Sequence, residues 1–417
     1  MKTLSHTGTQ VTKDVVTAQP TLKVCMHLLG TARTDYRVMR GATALAEAGF
    51  MVTIIDVEAE RTRPAEEDIC GVHVKHIISP SWFIPTGFKP WFLVKMMLML
   101  IVGTVRLLQT QADIYHAHLD KALPACYLAA RLHRKLLILD APEMPLSDPT
   151  VTRWHRLNTL ATRIFTGMLP YCVGVIATSS PTAQAICNRY GVRTVTLIRN
   201  VPTYRVVPKS DRLGQYLGLG PDVRIALYQG NLQPNRELDR LVRAASYLEP
   251  GIVIVMMGRG VGATQAQLEA LIASERVADR VKILPPVPYA ELLDWTASAD
   301  IGLTIFSPDY SPNIRMTLPN KFFEYLMVGL PVLTSPLEAV TELVKTYDVG
   351  QIAPSLAPAE VGAAINTMLA DRLALDRMRG NALEGARQEF NWEKESLVLI
   401  RLYHKILGIR NTENTTG

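Results

Sequence analysis

A carboxylate and an amide stand four residues apart in the segment 318–334, LPNKFFEYLMVGLPVLT. Pro319 suits the first position of a helix and Gly329 suits the position just past its end, so the segment predicts one helix followed by a strand. On that helix Asn320 and Glu324 share one face, opposite an apolar stripe. The helix start could bind a phosphate, and the carboxylate could accept hydrogen bonds from sugar hydroxyls. The alternative for Glu324 is a solvated residue on an amphipathic helix.

A second candidate phosphate site follows the predicted strand 225–228, in a loop that contains Gly230 and Asn231 and leads to Arg236. A cation at the start of a helix opposes the helix dipole, so Arg236 predicts an anionic partner there. A diphosphate would suit it, because the guanidinium offers forked donors to phosphate oxygens. The alternative is a surface arginine offset by Glu237.

The sequence holds one candidate metal site and no recognised nucleophile motif. His116 and His118 lie two apart at the end of a predicted strand, so their side chains point the same way and zinc is conceivable. No third or fourth ligand is apparent from the sequence. There is no Asp-x-Asp motif to hold a metal-bridged diphosphate, and no Ser-His-Asp elbow or Walker loop. We therefore expect no metal and no cofactor.

The segments 320–325, NKFFEY, and 329–332, GLPV, resemble the nucleotide-sugar motif of retaining glycosyltransferases of family four, the group 1 glycosyl transferases. That family has the GT-B fold. The resemblance implies that Glu324 binds the ribose hydroxyls, and that a basic residue at Arg236 grips the donor pyrophosphate. The family usually has another Glu eight positions before Glu324, where this chain has Met316, which shifts expectation for the transferred sugar to the preceding loop, 307–317.

The resemblance also implies a set of site residues. The catalytic residues would be His118, beside the transferred sugar, Arg236 and Glu324. The donor-binding residues would be Gly230, Asn231, Arg236, Gly258, Arg259, Asn320, Lys321 and Glu324. The acceptor-side residues would be Asp35, Arg37, Glu143 and Asn200. Without the resemblance, His118 is equally well a hydrogen-bonded residue at a strand end, and Glu143 a helix cap.

Length and element order predict the domain organisation. A chain of 417 residues exceeds what one core usually supports. Short apolar strands alternate with helical stretches throughout, which is typical of parallel α/β sheets. We expect two Rossmann-like domains that face a cleft: a loose tail over 1–20, an acceptor-side domain over 21–205 and a nucleotide-sugar domain over 206–390. The resemblance implies that the last helix, in 391–417, crosses back to the first domain.

The composition is that of an ordinary globular protein, with 48% hydrophobic and 20% charged residues. The net charge of +6 is mildly basic, and no basic array marks nucleic acid. Five cysteines without CxxC spacing predict reduced, buried thiols and a cytoplasmic location. Within the aromatic and apolar segment 81–108, the uninterrupted apolar run covers only residues 96–105, which is too short to span a bilayer. The segment predicts either a buried crossover helix or a peripheral contact with anionic membrane through its basic and aromatic residues.

Together these features predict a glycosyltransferase that moves a hexose, with retention and without a metal, from a nucleoside-diphosphate sugar to a hydroxyl acceptor. The acceptor would be a glycan or a lipid-linked molecule in cell-envelope or exopolysaccharide synthesis, on the cytoplasmic face of the membrane. The rival enzyme is a nucleotide-sugar epimerase of the same fold. A rival from another class is a catalytically silent, membrane-associated scaffold, which the missing acid at Met316 favours.

Overall fold

The computed structural model describes residues 22–60, 62–78, 89–146 and 155–409. The predicted N-terminal tail and the start of the segment 81–108 lie outside these ranges. Two α/β domains follow one another along the chain, each built on its own sheet. Both sheets consist of parallel pairs, except for one antiparallel pair at the edge of the first.

The first sheet has eight strands in the order β3-β4-β2-β1-β5-β6-β7-β8. Its strands are β1 Lys23–His27, β2 Met51–Glu58, β3 Glu66–Ile69, β4 Val72–Ile78, β5 Ile114–His118, β6 Leu136–Asp140, β7 Gly174–Ala177 and β8 Thr196–Leu197. Its helices are α1 Tyr36–Glu47, α2 Lys89–Leu108, α3 Leu123–His133, α4 His155–Met168 and α5 Ser180–Tyr190. Two buried apolar clusters include residues of this sheet, one with α2, α3 and α4 and the other with α1.

The second sheet has six strands in the order β11-β10-β9-β12-β13-β14. Its strands are β9 Arg224–Gln229, β10 Ile252–Met257, β11 Val281–Leu284, β12 Ile301–Thr304, β13 Val332–Thr334 and β14 Gly350–Ile352. The helices of this half are α6 Arg212–Leu217, α7 Leu238–Ala244, α8 Thr264–Glu275, α9 Leu292–Thr296, α10 Pro312–Met316, α11 Asn320–Met327, α12 Glu338–Tyr347, α13 Pro358–Ala370 and α14 Arg372–Gln388. A single buried cluster runs through this half.

The last helix, α15 Trp392–Leu407, packs on the first sheet. Asn391 caps its start, because the Asn391 side chain accepts a hydrogen bond from the backbone N–H of Lys394 at 3.0 Å. Leu399 and Tyr403 lie in the same buried cluster as the strand β1. The hydroxyl of Tyr403 is 2.7 Å from Nδ1 of His116, so the helix also contacts a polar residue of β5.

Several details differ from the sequence-based predictions. The strands β3 and β14 were missed because their sequences, EEDI and GQI, are not apolar runs. Pro319 is the residue before α11 and not its first residue, whereas Gly329 follows the helix with φ +67° as expected. The cysteines are not all buried, since Cys70 is exposed. Of the helices in the described ranges, none has both the length and the apolar character needed to cross a bilayer.

Candidate active site

A cleft of about 990 Å³ opens between the two domains, where the carboxyl ends of both sets of strands meet. Loops after β5 and β6 form one wall, and loops after β9, β10 and β12 form the other. Both domains contribute residues to the lining of the cleft, which includes Tyr36, Asp120, Lys121, Glu143, Tyr228, Gln229, Gly230, Asn231, Arg236, Gly258, Arg259, Tyr289, Phe306, Tyr310, Ser311, Asn313, Thr317, Asn320, Lys321 and Glu324. All eight predicted donor-binding residues are among them.

Two glycine loops pack directly against each other at the floor of the cleft. A Cβ atom on Gly258 would lie 1.9 Å from the carbonyl oxygen of Gly230, so only glycine fits there. Gly230 itself has φ +125°, which side chains rarely adopt. A backbone hydrogen bond of 2.8 Å from Leu232 N–H to the Arg259 carbonyl joins the two loops. The backbone of both loops is therefore open to close approach by a ligand.

Lys321 and Arg236 place two positive charges around one aromatic ring. The ammonium of Lys321 lies 3.5 Å from the ring centre of Tyr228 and 5.1 Å from that of Phe306. The guanidinium of Arg236 lies 4.9 Å from the ring centre of Phe306. Burial, and then the charge of Arg236, lower the pKa of Lys321 well below its ordinary value. An anion between these cations would stabilise both charged forms.

Glu324 is buried and not solvated, as is every residue of α11 from Lys321 to Met327. Its Oε2 accepts a hydrogen bond of 2.5 Å from Nε2 of Gln229. Oε1 of Gln229 in turn accepts from the hydroxyl of Thr296 at 2.7 Å. Burial raises the pKa of Glu324. Within the described ranges Oε1 of Glu324 has no donor, so this oxygen is available to a hydroxyl group in the cleft.

Three of the residues predicted in the first domain stand in or beside a buried network behind the cleft wall. Arg37 donates two hydrogen bonds of 2.8 Å to the carboxylate of Asp140. His118 Nδ1 lies 3.3 Å from the same carboxylate. Burial alone would raise the pKa of Asp140, but the charge of Arg37 lowers it below its ordinary range. Asp35 caps α1 by accepting from the N–H of Val38 at 3.1 Å. Asp35, Arg37 and His118 are not among the residues that line the cleft.

The other two predicted acceptor-side residues lie at the domain junction. Nδ2 of Asn200 donates to Oδ1 of Asn320 at 2.8 Å, so an acceptor-side and a donor-side residue meet directly. Asn200 also accepts from the guanidinium of Arg40 at 2.6 Å. Glu143 lines the cleft, 3.4 Å from the amide nitrogen of Asn313 across the domains.

The fold supplies a third potential metal ligand that the sequence did not suggest. His116, His118 and Asp140 bring ligand atoms within 4.8 Å of one another, and all three residues are buried. The two imidazoles stack with their centres 4.3 Å apart, as the strand spacing predicted. Arg37 already donates to both oxygens of Asp140, and its positive charge disfavours a cation there. The group is better described as a hydrogen-bonded network than as a metal site.

Comparison with known proteins assigns the family. Residues 212–385 match the family model of the group 1 glycosyl transferases. Residues 36–201 match the model described as Glycosyltransferase Family 4. The chain belongs to glycosyltransferase family four.

The curated relatives are distant and mostly matched in part. The D-inositol 3-phosphate glycosyltransferase of Streptomyces bingchenggensis is 24% identical over 259 residues, which cover 58% of this chain and 55% of the relative. For most of these relatives the chain spans about half of their length. D-inositol 3-phosphate glycosyltransferase 1 of Catenulispora acidiphila is the longer match, 24% identical over 89% of this chain and 90% of the relative.

Solved structures confirm the GT-B fold that the family implies. Sucrose-phosphate synthase from Thermosynechococcus elongatus aligns with a TM-score of 0.74 at 17% identity, covering 93% of this chain and all of the other. HepE of Anabaena in complex with UDP aligns with a TM-score of 0.68 at 16% identity, covering 92% and 100%. Identities this low show the shared fold alone.

Met316 stands where family four usually has a second Glu, and it lies at the interface between the domains. Its side chain packs against the apolar cluster of the first domain. Its carbonyl oxygen accepts a hydrogen bond of 2.6 Å from the hydroxyl of Ser179, which belongs to that domain. The segment 307–317 lines the cleft through Tyr310, Ser311, Asn313, Ile314 and Thr317, and its contact with the transferred sugar stays a prediction.

Sequence reasoning missed several lining residues of this family-four cleft. Tyr36 and Tyr289 stack across it with ring centres 4.4 Å apart and planes at 18°. Asp120 and Lys121 follow β5 after one intervening residue and carry charge into the first-domain wall of the cleft. Gln229 could have been found, because it is a polar residue at the carboxyl end of an apolar strand, where ligands bind in open α/β sheets. The tyrosine pair could not, since 253 residues separate its members along the chain.

Proposed function

We propose that this chain transfers a sugar, with retention, from a nucleoside-diphosphate sugar to a hydroxyl acceptor. The observation that carries this proposal is the arrangement of Lys321, Arg236 and Glu324 around one cleft wall. Two cations suit a diphosphate, and the available oxygen of Glu324 suits a ribose hydroxyl. UDP is the first nucleotide to test, because structural neighbours have been solved with UDP and with UDP-glucose.

We propose retention because the nucleotide-sugar motif resembles that of retaining glycosyltransferases, and retention would proceed by displacement on the front face of the sugar. In that reaction the bond from the anomeric carbon to the diphosphate breaks, and the acceptor oxygen bonds to the same face. The proton of the acceptor passes to the departing diphosphate. Lys321 and Arg236 would stabilise the charge that develops on the leaving group, and the protein otherwise contributes positioning. Because these two cations can neutralise the diphosphate, we propose that no metal is required.

We propose that the acceptor binds against the first domain, where Glu143, Asp120 and Lys121 line the cleft. His118 lies behind this wall, and it would hold the carboxylate of Asp140, and through it the neighbouring wall residues, in position. A glycan or lipid-linked acceptor in envelope or exopolysaccharide assembly suits this proposal. One structural neighbour, WaaG, is described as involved in lipopolysaccharide biosynthesis. The enzyme would then work on the cytoplasmic face of the membrane.

A thermal-shift screen against UDP, GDP and ADP tests the donor site. The nucleotide that binds should stabilise the protein by about 2.7 kcal/mol at a hundredfold excess over its dissociation constant. If none of the three diphosphates shifts unfolding at millimolar concentration, the proposal is wrong.

The corresponding nucleotide sugar should then be consumed in the presence of acceptor extracts and yield an α-linked product from an α-linked donor, as read by NMR. Conversion of the donor sugar without any acceptor would instead identify an epimerase.

A further inference from the structure

On one face of the first sheet, which α5 also covers, the three helices α2, α3 and α4 lie next to one another. Their inner sides enter a single buried cluster, to which α2 contributes Leu107, α3 contributes Cys126 and α4 contributes Phe165. Since they cover the same face of one sheet, their outer sides look away from the protein in the same general direction. We call these outer sides the α2–α4 face.

The α2–α4 face exposes many large apolar side chains. On α2 they recur with helical spacing, so they form a stripe rather than isolated residues. Met97 is 57% exposed and Ile101 is 53% exposed, and on α3 Leu132 reaches 66%. The full set is Trp91, Val94, Met97, Leu98, Ile101, Val105, Leu128, Leu132, Leu160 and Ile164. Adjoining exposed apolar residues of this extent are typical of an interaction surface.

The charges on the same three helices have one sign. The helices are 20, 11 and 14 residues long and contain no Asp or Glu, although the whole chain has 38 acidic residues. Their basic residues are Lys89, Lys95, Arg106, Arg131, Arg156 and Arg163. Apolar and basic residues without acidic ones suit a partner that is both apolar and negatively charged.

We infer that the α2–α4 face docks on the surface of an anionic phospholipid bilayer. A second copy of this chain fits less well, because a twofold contact would place the same basic patch against itself. An anionic bilayer complements the basic residues and accepts the apolar side chains at the level of its headgroups. The protein would lie on the bilayer, in keeping with the absence of a membrane-crossing helix from the described ranges.

The inference rests on the proposed function for its purpose, which is to bring the cleft to a lipid-linked acceptor. The proposed contact is wider than the one that the sequence predicts. That prediction placed the contact on 81–108 alone, whereas the fold adds α3 and α4, which come later in the chain.

The test is sedimentation of the full chain with vesicles of phosphatidylcholine, with and without phosphatidylglycerol. We expect binding to the anionic vesicles, weakened by high salt. Lys95→Glu with Arg163→Glu should lower the partition coefficient by at least about 30-fold, because each basic residue lost contributes about fivefold and each new carboxylate adds repulsion. The control, Lys345→Glu with Lys394→Glu, changes net charge equally at exposed positions outside the face and should bind normally.

A second variant tests the apolar part. Met97→Ser with Ile101→Ser and Leu132→Ser should lower binding about tenfold or more. Its control, Val206→Ser with Leu373→Ser, removes apolar residues that are 78% and 84% exposed elsewhere and should leave binding unchanged. If the serine variant unfolds, the charge pair decides the outcome, since Lys95 and Arg163 lie outside the buried clusters.

Wild-type protein that ignores anionic vesicles would overturn the inference. So would equal binding to phosphatidylcholine alone, or equal loss in the charge control. A dimer in sedimentation velocity that the same substitutions dissolve, without vesicle binding, would assign the face to self-association. Titration of each variant with UDP, without lipid, reports separately on the donor site, so failure of the two proposals can be distinguished.

Discussion

Replacing Lys321 with Met is expected to weaken diphosphate binding and to leave the nucleotide-free protein at least as stable. Met keeps much of the side-chain volume against Tyr228 and Phe306 and removes the charge. Among the described residues no ion pair is formed by this ammonium, so its burial is only partly offset, by the two aromatic rings and by the more distant charge of Glu324.

The substitution should have opposite effects on UDP affinity and on the stability of the nucleotide-free protein. A charged hydrogen bond contributes about 1.5–3 kcal/mol, so UDP affinity should fall about 10- to 150-fold. Affinity for uridine should stay within about twofold, because the nucleoside lacks the diphosphate. The free energy of unfolding without nucleotide should be unchanged or higher, since a poorly paired buried charge is removed. Calorimetric titration and urea denaturation measure the two quantities.

The pH dependence gives an independent check. The pKa of Lys321 is lowered, so the ammonium is lost at lower pH than in an ordinary lysine. UDP affinity should therefore decrease as pH rises through that lowered pKa, while the stability of the nucleotide-free protein should increase up to the pKa of an unfolded lysine. Both trends should be absent from the Met variant. Unchanged UDP affinity in a folded variant, or identical pH profiles, would refute the assignment of Lys321 to the diphosphate.

Three further predictions concern neighbouring groups. Arg236→Ala should weaken the binding of UDP more than the binding of uridine, as measured by calorimetry. Turnover by the wild type should persist in EDTA, and a complete, reversible loss of activity on chelation would contradict the metal-free proposal. Glu324→Ala should weaken the binding of uridine by about 1.5–3 kcal/mol. It should also lower the free energy of unfolding by about 1–3 kcal/mol, because the amide of Gln229 loses its acceptor. Normal uridine affinity in a folded variant would count against the ribose role. Asp140→Asn should lower the free energy of unfolding by about 3 kcal/mol, because Arg37 is left buried without its partner. Since the pKa of Asp140 is lowered, this contribution is present at neutral pH and is lost in acid, so a difference between wild type and variant that stays constant down to low pH would argue against the ion pair.

Sequence patterns were most reliable for the strands and for the donor loops. Val72–Ile78, Val281–Leu284 and Val332–Thr334 are recognisable as strands in the sequence, because their apolar residues either alternate with polar ones or adjoin one another, and the structure has strands with these bounds. The loops that hold Gly230 and Gly258 follow such strands directly. Their place at the cleft therefore follows from the rule that ligands bind at the carboxyl ends of strands.

The first-domain residues show where local reasoning stops. The family resemblance assigned Arg37 to the acceptor side, yet its guanidinium donates hydrogen bonds to Asp140, which is 103 residues away in the chain. The same carboxylate engages His118, so neither side chain lines the cleft. No spacing rule reveals such a pairing, since it depends on which strands become neighbours.

The sequence by itself determined the α/β alternation, the glycine loops and the residue types that suit a nucleotide sugar, since each depends on residues close together in the chain. Only the tertiary structure decided which charges meet. It set Lys321 and Arg236 around Phe306, enclosed Glu324 beside Gln229, and placed α2, α3 and α4 side by side as one acid-free face. The physical reason is that burial and charge interactions depend on distance in space, and strand order sets that distance between segments remote in the chain.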